Sequence, residues 1–214
     1  MKIKLLIFLF FQIFSLKFYG IDVSESQGNI DWKKLEGKKH FAIIRAGIGS
    51  EKDSNWETNY KGAKSANLNK GAYWYAKADS VEDAKDEAKS FIKALANKKL
   101  EWPVYYYIDK QSIFDAKLQD SIAKAFCDIL SGYNYYCGIY SSEYNLKNYF
   151  NSETKKKYTI WLSKLNVTMP SYNGEYQVWQ KSKETVEGIS GEVYIDEGNS
   201  NFEPYMKERH LNGY

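Results

Sequence analysis

The sequence predicts a single α/β domain built as a (β/α)-type, TIM-barrel-like barrel with eight strands and fewer than eight helices. Three observations predict it. Short apolar runs of β type alternate with helical stretches along the chain. The early connections are long enough for crossover helices, whereas the later ones are too short or too irregular. No internal repeat, low-complexity tract or Pro/Gly-rich linker divides the 214 residues, a length that suits one domain. Strands joined through helices pair in parallel with right-handed crossovers.

The first strand spans residues 19–24. Phe41-Ala42-Ile43-Ile44-Arg45-Ala46 is the second, ending at Gly47, and residues 70–76 form the third. Between these two, residues 58–67 are helical in composition. Residues 80–96 make the clearest helix: Ser80 and Asp83 open it as a capping box with a shorter acid, and Val81, Ala84, Ala88, Phe91, Ile92 and Leu95 form one apolar stripe. Residues 104–109 are the fourth strand. Residues 115–130 are the next helix, stopped by Ser131-Gly132. Residues 135–141, 158–162, 175–180 and 191–196 complete the eight strands. Residues 197–214 carry no readable motif, and Lys155-Lys156-Lys157 reads as a solvated turn. Parallel barrels place their sites at the C-terminal strand ends. That rule alone selects Asp22, Arg45, Tyr75, Asp109, Tyr140, Trp161, Gln180 and Asp196.

The N-terminus is basic at Lys2 and Lys4, then apolar from Leu5 to Leu16 except at Gln12 and Ser15. This predicts a secretory signal over residues 1–20 and a barrel domain over 21–214, with an uncleaved anchor as the alternative. Once cleaved, the chain has no membrane span and belongs outside the cell or in a secretory or lysosomal lumen. Removing residues 1–20 takes away Lys2, Lys4 and Lys17, three of 30 basic residues, and leaves 27 against 27 acidic ones. A neutral domain gives no argument for nucleic acid or anionic lipid as partner. Cys127 and Cys137 permit one disulfide, which spacing alone leaves open. With only His40 and His210 beside them, no zinc spacing and no metal site is expected. Asn166-Val167-Thr168 is an N-glycosylation sequon. Aromatic residues make up 17% of the chain, which suits a saccharide cleft or a tyrosine-rich core.

Several runs in order carry a family resemblance: Ile21-Asp22-Val23-Ser24 with Gln27-Gly28 and Ile30-Asp31-Trp32, then Phe41 to Gly47, Gly71-Ala72-Tyr73-Trp74-Tyr75 and Pro103-Val104-Tyr105-Tyr106. Gly138-Ile139-Tyr140-Ser141, Ile160-Trp161-Leu162, Val178-Trp179-Gln180 and Val186-Glu187-Gly188-Ile189-Ser190-Gly191 follow. From residue 20 to about 200 the chain resembles glycoside hydrolase family 25, the Chalaropsis-type muramidases. The resemblance implies a barrel, no cofactor, and hydrolysis of the β-1,4 bond between N-acetylmuramic acid and N-acetylglucosamine in peptidoglycan; a monomer is the expected state, although no motif reads on it. The family keeps acids at four positions. Asp22 matches the first. At the Asp-x-Glu strand end the chain has Tyr107 and Asp109. Tyr194 stands where the last strand usually has Asp, with Asp196 two residues on.

These changes alter the chemistry. Glycosidic cleavage needs a protonated acid at the leaving oxygen and negative charge near the oxocarbenium-like centre. Asp for Glu retracts the carboxyl by one C–C bond, ~1.5 Å. Tyr107 is neutral at pH 7 and supplies no charge. Tyr107 and Asp109 share a strand face, about 6.6 Å apart along the backbone, as do Tyr194 and Asp196. Asp22, Asp109 and Asp196 are therefore the expected catalytic set, against the alternative that Asp109 and Asp196 are merely solvated strand ends. Gln27, Arg45, Tyr75, Tyr107, Tyr140, Trp161, Trp179, Gln180 and Tyr194 are the expected substrate-binding set. For the aromatics among them barrel packing competes, and Arg45 is favoured as a holder of carboxylates. The chain is expected to be either a secreted muramidase using Asp109 as general acid, or a degraded member that binds peptidoglycan or another N-acetylated glycan without cutting it.

Overall fold

The computed structural model describes residues 16–109 and 115–214. Its strands are β1 (Phe18–Val23), β2 (Phe41–Ile48), the two-residue β3 (Glu51–Lys52), β4 (Asn69–Tyr75), β5 (Val104–Tyr107), β6 (Cys137–Ser142), β7 (Thr159–Ser163), β8 (Val178–Thr185) and β9 (Glu192–Gly198). Six helices lie among the described residues: α1 (Trp56–Ser65), α2 (Val81–Leu95), α3 (Ala116–Gly132), α4 (Glu143–Asn148), α5 (Ser152–Lys157) and α6 (Glu203–Glu208). The sheet runs β1-β9-β8-β7-β6-β5-β4-β2, and a β1–β2 pairing closes it into the eight-strand barrel. β3 is a short hairpin arm on β2.

One expectation about this barrel is overturned. β9 runs antiparallel to both β1 and β8. Only six residues, 186–191, separate β8 from β9, and a parallel return needs a crossover of a dozen or more residues. The C-terminal end of β9 therefore points to the bottom of the barrel, not to its mouth.

Alternation within the strands builds two cores. Phe41, Ile43, Tyr73, Tyr105, Trp161 and Val178 face the barrel interior. Their neighbours Ala42, Ile44, Trp74, Tyr106 and Ile160 face outward beneath the helices. Tyr106 stacks on Phe126 of α3 with ring centroids 3.7 Å apart and donates its hydroxyl to Glu87 of α2 at 2.7 Å, tying both helices to the sheet. The bottom is plugged by Trp102, stacked on Phe41 at 3.7 Å and edge-on to Phe202. Gly20 and Gly198 admit this plug: a Cβ at either would lie 2.4 Å from Phe41 or 2.3 Å from Trp102. The tail that carries no motif thus supplies α6, whose Met206 is fully buried in the plug.

Local signals fix the helix ends. Ser80 caps α2 by accepting from the Asp83 amide at 3.1 Å, and Asp83 accepts the Ser80 hydroxyl at 2.7 Å. Asp115 caps α3 through the Lys117 and Leu118 amides. That helix runs on through Gly132 and stops where Asn134 turns left-handed at φ 62°. Lys155–Lys157 are not a free turn but the last turn of α5. Cys127 and Cys137 are buried free thiols with Sγ atoms 2.7 Å apart.

The expected signal segment falls mostly outside the described residues. Its last five residues do not: of these, Phe18–Gly20 pair with β9 and β1 extends through them, so a domain boundary at residue 20 cuts a strand. Phe18 also packs edge-on against His40 and Trp102. No helix among the described residues is long and apolar enough to cross a membrane.

Candidate active site

A hollow of about 640 Å³ opens at the C-terminal ends of the parallel strands. One wall is a row of rings. Tyr75, Tyr107, Tyr140 and Trp161 are register partners on β4, β5, β6 and β7. Because in-register residues project to the same side, their rings meet. Tyr75 stands edge-on to Tyr107 at 4.9 Å, Tyr107 stacks on Tyr140 at 4.1 Å, and Tyr140 stacks on Trp161 at 3.7 Å. Exposure falls along the row. Tyr75 and Tyr107 are half-buried, Tyr140 is nearly covered and Trp161 is fully buried. Tyr75 and Tyr107 therefore present ring surface to the hollow.

The acids sit at different depths. Asp109, just beyond β5, is half-buried at the rim. Its Oδ2 accepts from the Tyr107 hydroxyl at 3.1 Å and its Oδ1 from Asn145 Nδ2 at 3.1 Å. Burial and the Asp109 charge hold the Tyr107 phenol far above its ordinary value, so it stays a neutral donor. Asp22 lies lower on β1, 4% exposed, and accepts from Gln180 Nε2 at 2.7 Å. Burial, opposed by the Gln180 and Asp196 hydrogen bonds, pushes its carboxyl up to about 7. Asp196 lies lower still. It is fully buried, accepts from Trp161 Nε1 at 2.8 Å and does not line the hollow. Burial and the Asp22 charge hold it well above the usual carboxylate range.

The antiparallel β9 explains this last placement. Two residues forward from Tyr107 on parallel β5 lead out to the rim. Two residues forward from Tyr194 on β9 lead inward, from the level of Asp22 to the level of Gly20. The expected acidic set is thus spread along the barrel axis.

Asp22, Gln27, Arg45, Tyr75, Tyr107, Asp109, Tyr140, Gln180 and Tyr194 all line the hollow. Trp161 and Trp179, expected as sugar platforms, do not. Trp161 is sealed beneath Tyr140, and Trp179 points outward into the helix-side core, its Nε1 donating to the Lys164 carbonyl at 2.8 Å. Gln180 is 2% exposed and spent on its neighbours: its amide donates to Asp22 and its Oε1 accepts from Ser163 Oγ at 2.7 Å. Gln27 accepts from the Ser24 amide at 2.8 Å, closing a capping box that shapes the rim after β1. Arg45 holds carboxylates, as favoured: Nε donates to buried Asp53 at 2.7 Å and a terminal nitrogen to Glu25 at 2.9 Å.

Sequence reasoning missed Asn145, Ser163, Lys183, Tyr73 and Asp53. Ser163 was findable as the same-face residue two beyond Trp161. Asn145 carries no local signal, because only folding brings α4 beside β5. A larger depression of about 890 Å³ lies at the opposite end of the strands, beside Tyr136, Lys156 and Gln177, and none of the expected site residues lines it.

Comparisons with known proteins bear on this arrangement. The family described as Glycosyl hydrolases family 25 matches residues 21–189. The autolytic lysozyme of Clostridium acetobutylicum is 28% identical over 181 residues, covering 83% of this chain and 55% of its own. The autolysin LytC of Streptococcus pneumoniae, solved in complex with a synthetic peptidoglycan ligand, superposes with a TM-score of 0.73 at 25% identity, covering 85% of this chain and 46% of its own. The bacterial lysozyme of Streptomyces coelicolor shares the fold, with a TM-score of 0.74 at 24% identity over 86% of this chain and 93% of its own. This chain therefore spans about half the length of the first two relatives. With the family matched over most of its length and the barrel shared, the chain belongs to glycosyl hydrolase family 25.

Proposed function

We propose that the protein is a secreted peptidoglycan hydrolase of muramidase type, cutting the β-1,4 bond after N-acetylmuramic acid. One observation carries the reading. Asp109 stands at the rim of the hollow and Asp22 on its floor, beside the half-buried rings of Tyr75 and Tyr107. In this reading a saccharide lies against the two rings. Asp109 protonates the leaving oxygen, and the Asp22 carboxylate stabilises positive charge at the anomeric carbon. Tyr194, half-buried beside Asp22 and covered by the Lys183 ammonium at 5.5 Å, is a wall for the sugar rather than a charge.

A specific observation favours the binding-only alternative. Tyr107 and Asn145 both donate to Asp109, so both of its carboxyl oxygens are already engaged by the protein rather than free to face a leaving oxygen. Incubation of the purified protein with insoluble peptidoglycan separates the two. New reducing ends that vanish in Asp109→Asn support the hydrolase. Retention on the wall without new ends supports the binder, and neither result defeats both.

Secretion is part of the proposal and rests on the basic and apolar N-terminus. The proposed cleavage lies at or before Lys17 rather than after residue 20, a reading supported by the start of β1 at Phe18. The sequon at Asn166 lies on an exposed loop.

A further inference from the structure

Beneath the floor of the hollow lies a carboxyl group for which the proposed reaction has no use. Asp196 is completely buried, and the register of β9 sets it between Gly20 of β1 and Gln180 of β8. Its Oδ1 accepts from Trp161 Nε1. Its Oδ2 meets no ordinary donor among the described residues. The Asp196 side chain also meets that of Asp22, which lies two residues along β1 from Gly20, is 4% exposed and already accepts from Gln180.

Two buried carboxyl groups in contact do not both ionise unless a cation joins them. The groups that face this pair supply none. Tyr73, Tyr105 and Tyr140 are phenols that burial keeps neutral. The Arg45 guanidinium is committed to Asp53 and Glu25. Lys39 acts on Asp196 only through space, without an ion pair. The remaining contacts, Trp161 and Gln180, are neutral donors. The pair therefore retains one proton. Each carboxyl has one protein donor, so depth decides between them. Asp22 borders the hollow and Asp196 does not.

We propose that Asp196 is a positioning residue that keeps its proton and donates it in a hydrogen bond to Asp22, leaving Asp22 as the single carboxylate directed at the hollow. The arrangement restores, from below, some of the orientation lost where Tyr194 stands beside Asp22. Its role in turnover rests on the muramidase reading. The shared proton does not.

Infrared spectroscopy of the full chain tests it. At about pH 9, above the value of about 7 to which burial pushes Asp22, the wild type is expected to show the C=O stretch of one un-ionised carboxyl group. Asp196→Asn should remove that band while Asp109→Asn leaves it in place. Absence of the band in the wild type, or its survival in a folded Asp196→Asn variant, overturns the proposal. In a peptidoglycan assay, Asp196→Ala should lose about 10–100-fold, the range for a hydrogen bond to a charged group. Asp196→Asn, whose amide still donates, should stay within a few-fold of wild type. Equal losses in the two variants would also overturn it. If the wild type shows no turnover, the muramidase reading fails alone, and the infrared band still decides this one.

Discussion

Restoring the family's acids at the end of β5, by Tyr107→Asp together with Asp109→Glu, sets stability against rate. The Tyr107 ring makes three aromatic contacts: the stack on Tyr140 at 4.1 Å and edge contacts to Tyr75 at 4.9 Å and Tyr73 at 6.4 Å. At about 0.5–1.5 kcal/mol each, their loss costs roughly 3 kcal/mol. For a domain of this size that lowers Tm by about 6–12 °C. The gain is catalytic. Glu at 109 advances the carboxyl by one C–C bond, ~1.5 Å. A misplacement of about 1 Å is worth on the order of 100-fold in rate. Removing the Tyr107 hydroxyl, which donates to Asp109 at 3.1 Å, also frees one carboxyl oxygen for the substrate. The added Asp restores a like charge that helps keep the new Glu protonated. Reducing-end release from peptidoglycan is therefore expected to rise by about 100-fold over wild type, alongside the lower Tm. A double variant that folds, melts in the expected range and releases no more ends than wild type refutes the assignment of Tyr107 and Asp109 to the two acidic positions.

Four further outcomes follow from the same geometry. Tyr107→Phe keeps the ring on Tyr140 but removes the donor to Asp109, so Tm should hold within about 2 °C, less than 1 kcal/mol, while reducing-end release changes because one oxygen of Asp109 is freed; an unchanged rate would exclude this hydroxyl from the chemistry of the site. Trp161→Phe strips Asp196 of its indole donor in a fully buried setting; calorimetry should register a loss of about 1–3 kcal/mol, and an unchanged melt would show that the bond carries no net stability. Asp22 and Asp196 have folded-state values raised above those of the unfolded chain, so the folded state binds more protons. Their contribution is complete below about pH 4, the ordinary carboxylate value, and declines as pH rises through about 7 for Asp22. Melts of wild type should fall across that window and those of Asp22→Asn should fall less; parallel curves would contradict it. Finally, folding with glutathione disulfide present should join Cys127 to Cys137, releasing two thiols of glutathione and adding about 3 kcal/mol for the short loop closed; full alkylation of both cysteines after denaturation would rule the cross-link out.

Much of the barrel was legible because its strands and helices announce themselves locally. The alternation in Phe41 to Ala46, the stripe from Val81 to Leu95 and the cap at Ser80 each act within a few residues. The same holds for Asp22 and Tyr107, which ordered motifs carry to the mouth. The errors share a cause. The fates of Trp179 and Asp196 depend on strand direction and face, and α6 enters the core through contacts with residues about a hundred positions away, such as Trp102. Asn145 reaches Asp109 across 36 positions. Local pattern holds no record of such distant partners.

By itself the sequence determined the family, the eight barrel strands and first three helices in their order, and the acids at the ends of β1 and β5, because side-chain periodicity and short motifs are properties of neighbouring residues. Only the tertiary structure decided the depth of each acid. The antiparallel return of β9 turns two residues of sequence into a step inward, burying Asp196 under Asp22, while the same two residues on parallel β5 carry Asp109 outward to the rim.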